Sequence, residues 1–313
     1  MEDTPQRFRV LWGLFVFHSA QAQLRTGEAL GQQLFDLAQR QHDPALLVES
    51  HLAVGVVALF RGDLVVARTH LEQSLELSAA QQHATPLFTG GYHPRIAGLT
   101  WILRPLWGLG YPDQAQQRCQ EALALARQLE HTPSLAYAEL SAAILSHCRR
   151  DVASTQAHAE ALMALADTQG FGLRLEQGRM LRGWALAMQA DAAAGVAHIC
   201  QGLAASQGVG PETLRPHWLA LLAEAYGQAR QPEAGPTLLT EALRLVAATE
   251  ARWWEAELSR LRGELLLLHP RPEVPQAEAC LCQALEVARC QQEGVGAARG
   301  AQSQSAVAAS GEA

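Results

Sequence analysis

The residue types that could carry chemistry are present in this chain, but their spacing works against it. Cys280-x-Cys282 with Cys290 resembles the start of a metal cluster. On a helix, however, residues two apart diverge by about 200° and cannot share one tetrahedral ion. His147-Cys148 joins a base to a nucleophile, yet adjacent helical residues point about 100° apart. A core Cys beside an exposed His accounts better for that pair. Twelve His are spread along the chain without HExxH or other ligand spacing, so most are expected at the surface. Gly208-Val209-Gly210-Pro211 places two glycines before a helix but lacks a preceding strand and a third Gly, and Pro211 suits the first residue of that helix. No GxSxG occurs, and the acidic residues read as lying on solvated faces rather than in spaced pairs. There is no Lys and no Asn, so all 24 Lys+Arg are Arg. That removes Lys Schiff bases, a P-loop Lys, a catalytic Asn and N-glycosylation sequons. The reading is of a non-enzyme with no catalytic, cofactor or metal site.

Composition sets the class. With 313 residues, 49% hydrophobic, 18% charged and a net charge of −7, the chain reads as globular. Enough apolar surface is present to offset chain entropy, which excludes disorder throughout. The acidic balance argues against nucleic acid as a partner. No run approaches 18 uninterrupted apolar residues, so no membrane span is expected. The six cysteines are too scattered for a disulfide framework and read mostly as small buried hydrophobes kept reduced in a cytoplasm. Arg7 and Arg9 before the apolar run Val10 to Phe17 loosely resemble a signal peptide. Glu2 and Asp3 cancel that charge, and the helical pattern runs on through Leu24. Residues 1–7 are read as a leader and the protein as cytoplasmic.

Internal repeats decide the fold. Leu34, Leu75, Leu123, Leu162, Leu203, Leu243 and Leu285 sit in similar Ala/Leu-rich texture at separations of 41, 48, 39, 41, 40 and 42 residues. The long interval contains Thr89-Gly90-Gly91-Tyr92-His93-Pro94, read as an inserted loop. One residue before the last six anchors stand Ser74, Ala122, Ala161, Gly202, Ala242 and Ala284. Eight before them stand Ala67, Ala115, Ser154, Gly195, Gly235 and Ala277. Small residues seven apart share a helix face and let a second backbone come close. The first unit breaks the rule, with Gln33 and Thr26 in those places. Upstream of the anchors come breaks such as Arg61-Gly62-Asp63, Gly110-Tyr111-Pro112-Asp113, Gln231-Pro232-Glu233 and His269-Pro270-Arg271-Pro272, where Gly stops one helix and Pro or Asp starts the next. The spacing predicts an all-α chain of seven helix–turn–helix units at 8–42, 43–82, 83–131, 132–169, 170–208, 209–249 and 250–292. A disordered Ala/Gly/Ser-rich tail is expected over 293–313.

Paired helices, small contact positions and a Gly or Pro turn make these units resemble tetratricopeptide repeats, with a period longer than that family's 34 residues. More narrowly, Arg182-Gly183-Trp184-Ala185-Leu186-Ala187, Leu109-Gly110-Tyr111-Pro112-Asp113-Gln114-Ala115 and Arg252-Trp253-Trp254-Glu255-Ala256-Glu257-Leu258 are similar to the C-terminal repeat region of large bacterial signalling ATPases. In those proteins a class III adenylate/guanylate cyclase or a serine/threonine-kinase domain precedes an ATPase and then such repeats. The resemblance implies a right-handed α-solenoid and a cytoplasmic protein-interaction or regulatory module. It also leaves two alternatives: a detached sensory portion of such a signalling protein, or an enzyme with a cryptic site between helices. The expected partner is a protein or peptide in the concave groove, possibly a cyclase, ATPase or kinase domain. Trp101, Trp107, Trp184, Trp218 and Trp254 fall in first helices, where they serve as core wedges or groove anchors. Burying Leu99, Ile102 and Leu106 turns Arg104 and Trp107 toward the groove, and the same logic places His217 and Glu224 there. Pro105 should kink its helix and open local surface. Hairpins that touch only neighbours predict an elongated particle. Leu281, Leu285 and Val287 form an end that lacks a capping helix, from which self-association is expected.

Overall fold

The computed structural model describes residues 5–80, 91–231, 233–269 and 271–311, with side chains between 6 and 305. Among the described residues every regular element is helical. The helices pair in chain order: α1 (Pro5–Ala20) with α2 (Leu24–Gln41), α3 (Pro44–Arg61) with α4 (Leu64–Ala80), and α5 (Pro94–Trp101) and α6 (Leu103–Gly108) with α7 (Pro112–Gln128). Next come α8 (Thr132–Cys148) with α9 (Val152–Gln169), α10 (Gly172–Met188) with α11 (Ala192–Ala205), α12 (Arg215–Gln228) with α13 (Ala234–Thr249), and α14 (Glu255–Leu267) with α15 (Val274–Cys290). A final helix, α16 (Gly294–Gly311), follows. Each hairpin packs on the next, giving the all-α solenoid that the repeats predict. A one-turn 3₁₀ segment, Glu212–Leu214, leads into α12, so Pro211 precedes that turn rather than opening the helix. Of the expected inserted loop, Thr89 and Gly90 lie outside the described residues, as do Pro232 and Pro270 of the expected breaks.

The turn inside each of the first six hairpins is one device repeated. Ala22, Gly62, Gly110, Arg150, Ala190 and Arg230 all have positive φ. The next residue's N–H (Gln23, Asp63, Tyr111, Asp151, Asp191 and Gln231) reaches back to the carbonyl of His18, Ala58, Leu106, Ser146, Leu186 and Tyr226. This backbone pairing closes the last helical turn. Where the following residue is Asp, its side chain also caps the new helix, as Asp151 does for Ser154 N at 3.0 Å. Only two of the six left-handed positions carry Gly, and an L residue there costs about 1–2 kcal/mol. Exposed Ala190, with φ 75°, is the clean test. Ala190→Gly should stabilise the chain by roughly 0.5–1 kcal/mol in denaturant titration, after the extra chain entropy of Gly.

Burial corrects the repeat register in two units. The second helices bury Ala67, Leu71 and Ser74; Ala115, Cys119 and Ala122; Gly195, Ile199 and Gly202; and Gly235, Leu239 and Ala242. In α9 the matching set is Thr155, Ala159 and Leu162, and in α2 it is Gly27, Gly31 and Leu34. Leu162 and Leu34 therefore occupy a contact position and are not anchors, while Ala161 is exposed. The first unit's contact position is Gly27, not Thr26. The corrected spacing, from Gly27 to Ala67, Ala115, Thr155, Gly195, Gly235 and Ala277, is 40, 48, 40, 40, 40 and 42. At Gly195 another helix's backbone comes closest, since a Cβ there would lie 2.5 Å from the Gly183 carbonyl oxygen.

Three expectations about shape are overturned. First, the solenoid does not stay open. Arg25 pairs with Glu250 at 2.5 Å, and Trp253 N donates to Phe60 O at 3.2 Å. Hairpins at opposite ends of the sequence thus meet, and the chain exposes 13955 Å². A compact monomer of 33.8 kDa exposes about 12,700 Å², so the elongated particle is replaced by a nearly closed one. Second, residues 294–311, expected as disordered tail, form α16. Its small side chains let its backbone lie close on α15, with Gly300 against Leu285. Third, Leu281 and Leu285 are consequently covered, so the uncapped end on which self-association was based is absent.

The first helices form the inner layer and are buried on most faces, α8 and α12 almost throughout. Apolar residues all round a helix are what such a position demands. α3 is long and apolar enough to cross a membrane, but 67% of it is buried inside the protein. Pro105 breaks the helix rather than bending it. Lacking an N–H, it leaves the Trp101 carbonyl unpaired, and α5 ends there. No surface opens as expected, since Pro105 itself is buried.

Candidate binding interior

The four residues expected to line the groove pack against other side chains of the chain itself. Trp107 on α6 stacks on Trp254 with ring centroids 6.2 Å apart. Arg104, three residues before it, lies 5.0 Å over Trp101 and 5.3 Å over Trp253. His217 on α12 is fully buried between Trp254 (4.9 Å), His147 (5.1 Å) and Trp253 (5.4 Å). Trp253 and Trp254 form the turn before α14, whereas the sequence placed Trp254 within a first helix. The Trp rings are thus mainly core wedges.

Glu224, almost two turns beyond His217 on α12, is the charged centre of this interior. It accepts from Trp184 Nε1 at 3.2 Å and from Arg150, and His147 Nε2 stands 3.8 Å away. Burial alone would raise its carboxyl, but His147 and Arg150 overcome that and hold it well below the usual carboxylate range. Burial, helped by His147 and Arg104, keeps His217 far below its ordinary value and hence neutral. A second network lies beside it. Arg260 grips Glu257 through Nε and Nη2 at 2.8 and 2.7 Å, and Arg299 of α16 reaches Glu257 at 3.5 Å and the Cys148 carbonyl.

Several single-residue readings change. His147 is buried beside Cys148 rather than exposed, and burial pushes the Cys148 thiol up to about 12, which leaves it unreactive. His51 and His217 are buried too. Cys119, Cys148 and Cys280 are core residues, whereas Cys200, Cys282 and Cys290 are exposed. Glu49, Glu139, Glu224, Glu257 and Glu293 are buried, against the expected solvated faces. The signal for Glu224 and Glu257 was available: each interrupts a run of apolar and small residues on an inner helix, where only a paired charge is tolerated.

The largest apolar opening lies at the other side of Arg104. A cavity of about 420 Å³ runs between α1, α3, α5 and α8 and the 3₁₀ turn, with walls that include Trp12, Phe15, Phe60 and Tyr137.

No family model matches the sequence, and no curated protein matches it significantly. Solved structures do. A Rap protein complexed with Competence and Sporulation Factor matches with a TM-score of 0.72 at 12% identity, over 91% of this chain and 76% of that one. The apo form of RapI matches at 0.61 and 9% identity, over 91% and 98%. BtubC (BKLC) from P. vanneervenii matches at 0.50 and 14% identity, over 74% and 92%. The likeness establishes a TPR-like helical-repeat fold for this chain.

Proposed function

We propose that the chain is a non-catalytic protein-interaction module of bacterial signal transduction, working in the cytoplasm by binding a protein or peptide partner. The likeness in fold over 91% of the chain to a Rap protein complexed with Competence and Sporulation Factor carries this reading. The closed ring supports it: it is joined by an exposed ion pair, Arg25 with Glu250, and by a buried ring contact, Phe60 with Trp253. A partner that prefers the open or the closed form would shift one against the other. Of the residues first assigned to the partner, Trp107, His217 and Glu224 are reachable only in an opened ring, whereas Arg104 borders the cavity. Six unpaired cysteines support a reducing compartment. A second reading, a sensory portion of a cyclase- or ATPase-type signalling protein, rests on the motifs around Trp184, Tyr111 and Trp254, and a cyclase or ATPase segment encoded directly upstream would favour it.

Cross-linked capture from the native cytoplasm tests the first reading. One partner should be recovered reproducibly, reconstitute with the purified chain, and change affinity when Arg25→Glu opens the ring. The purified chain should neither hydrolyse nor cyclise ATP or GTP. Turnover that survives purification and disappears on mutating a residue of this chain would overturn the proposal.

A further inference from the structure

The cavity beside Arg104 has a wall chemistry that its own protein does not satisfy. Its lining is mainly apolar and aromatic, and no Asp or Glu contributes to it. Its volume, about 420 Å³, falls within the range of about 300–1,000 Å³ typical of small-molecule sites. Among the residues that line it, Trp12 Nε1, Ser19 Oγ and Arg104 Nε are covered by protein and have no hydrogen-bond partner. Trp12 is 8% exposed and Ser19 7%. Such groups are rare in folded proteins, because each forfeits the bonds that it made to water. Here all three can donate.

The charge is equally one-sided. Arg104 makes no hydrogen bond or ion pair with any described residue, and the faces of Trp101 and Trp253 stand against it. Arg174, on the same wall, bonds to Tyr92 Oη and Gln177 Oε1, both at 2.7 Å, and lies 5.0 Å over Tyr137. Neither meets a carboxylate in the cavity. Glu293, which borders a separate small void with Arg104, forms no ion pair with it, and burial raises its carboxyl to about 8. The guanidinium of Arg104 therefore stands charged and unmatched at the edge of an apolar chamber. Arg260, by contrast, is compensated by Glu257.

We propose that this cavity is a binding site for a small amphipathic carboxylic acid, its carboxylate paired with the Arg104 guanidinium and its apolar body lying among Trp12, Phe15, Phe60 and Tyr137. A planar guanidinium matches a carboxylate with two parallel hydrogen bonds. The aromatic walls remove the ligand's apolar surface from water. The inference goes beyond partner binding and stands or falls without it.

Isothermal titration with decanoate, and with 1-decanol as its neutral counterpart, tests the site on the full chain. Decanoate should bind roughly ten- to a hundredfold more tightly than decanol, as a charge-assisted pair requires. Arg104→Met should bring that ratio close to one while raising the melting temperature, because it removes an unpaired buried cation. A gain in stability with a loss of acid preference cannot come from misfolding. Leu52→Trp, which fills the chamber, should abolish both ligands. The inference is overturned if decanol binds as well as decanoate, if neither binds, or if Arg104→Met leaves the ratio unchanged. It is also overturned if an apolar hexapeptide with a free carboxyl terminus binds where decanoate does not, for the carboxylate would then belong to a peptide.

Discussion

Replacing Glu224 by Ala should destabilise the chain by about 3–5 kcal/mol, measured by denaturant titration at pH 7. The change strands two partners at once. Trp184 Nε1 loses its acceptor inside the core, and His147, 2% exposed, loses the carboxylate that faces it. Arg150 is 42% exposed, so solvent recovers part of its share. Glu224→Gln keeps an acceptor for the indole and should cost less, about 1–3 kcal/mol. The pH dependence has a defined sign. A carboxyl held below its ordinary value contributes in full above about pH 4.5 and loses that contribution as acid approaches the folded value. Glu224→Ala should therefore narrow its gap to the parent on going from pH 7 to pH 3. A variant as stable as the parent at pH 7 would mean that the interior network carries no energy.

Glu49 should give the opposite result. It sits on α3 at 3% exposure with Oε2 unpartnered, and burial raises its carboxyl to about 8. Between about pH 4.5 and 8 the folded chain holds a proton that the unfolded chain has released, so stability falls as pH rises across that window. Glu49→Gln removes this penalty. It should stabilise the protein by about 3–5 kcal/mol above pH 8 and by little near pH 4.5. Parallel stability curves for parent and variant between pH 4.5 and 8.5 would refute the assignment.

The hairpins and their period were legible in the sequence because they are written locally, in helical spacing, turn residues and small contact positions. The register was legible only where the contact position holds a small residue. In the fourth unit it holds Leu162, and the small residue has moved across the interface to Gly178, whose Cβ would lie 3.4 Å from the Leu162 side chain. Reading one helix at a time cannot see that exchange. α16 was missed for a related reason. An Ala/Gly/Ser helix has little apolar surface of its own, and it forms by lying close on Leu285 and by sending Arg299 to Glu257. Periodicity turned Arg104, Trp107, His217 and Glu224 toward a groove, whereas Trp107, His217 and Glu224 lie in the core. That they would be buried depends on ring closure, which sums small rotations over six hairpin junctions and appears in no single one.

Closure also changes how such a protein can vary. An open solenoid gains or loses a hairpin at modest cost, because its stability is a sum over neighbours. Here the salt link between Arg25 and Glu250 and the bond from Trp253 to Phe60 span 225 and 193 residues. One added or deleted 40-residue hairpin would carry those partners past each other. The number of hairpins is thereby fixed by the pitch of the superhelix, and lineages of this chain should diverge by substitution and loop length rather than by duplicating units.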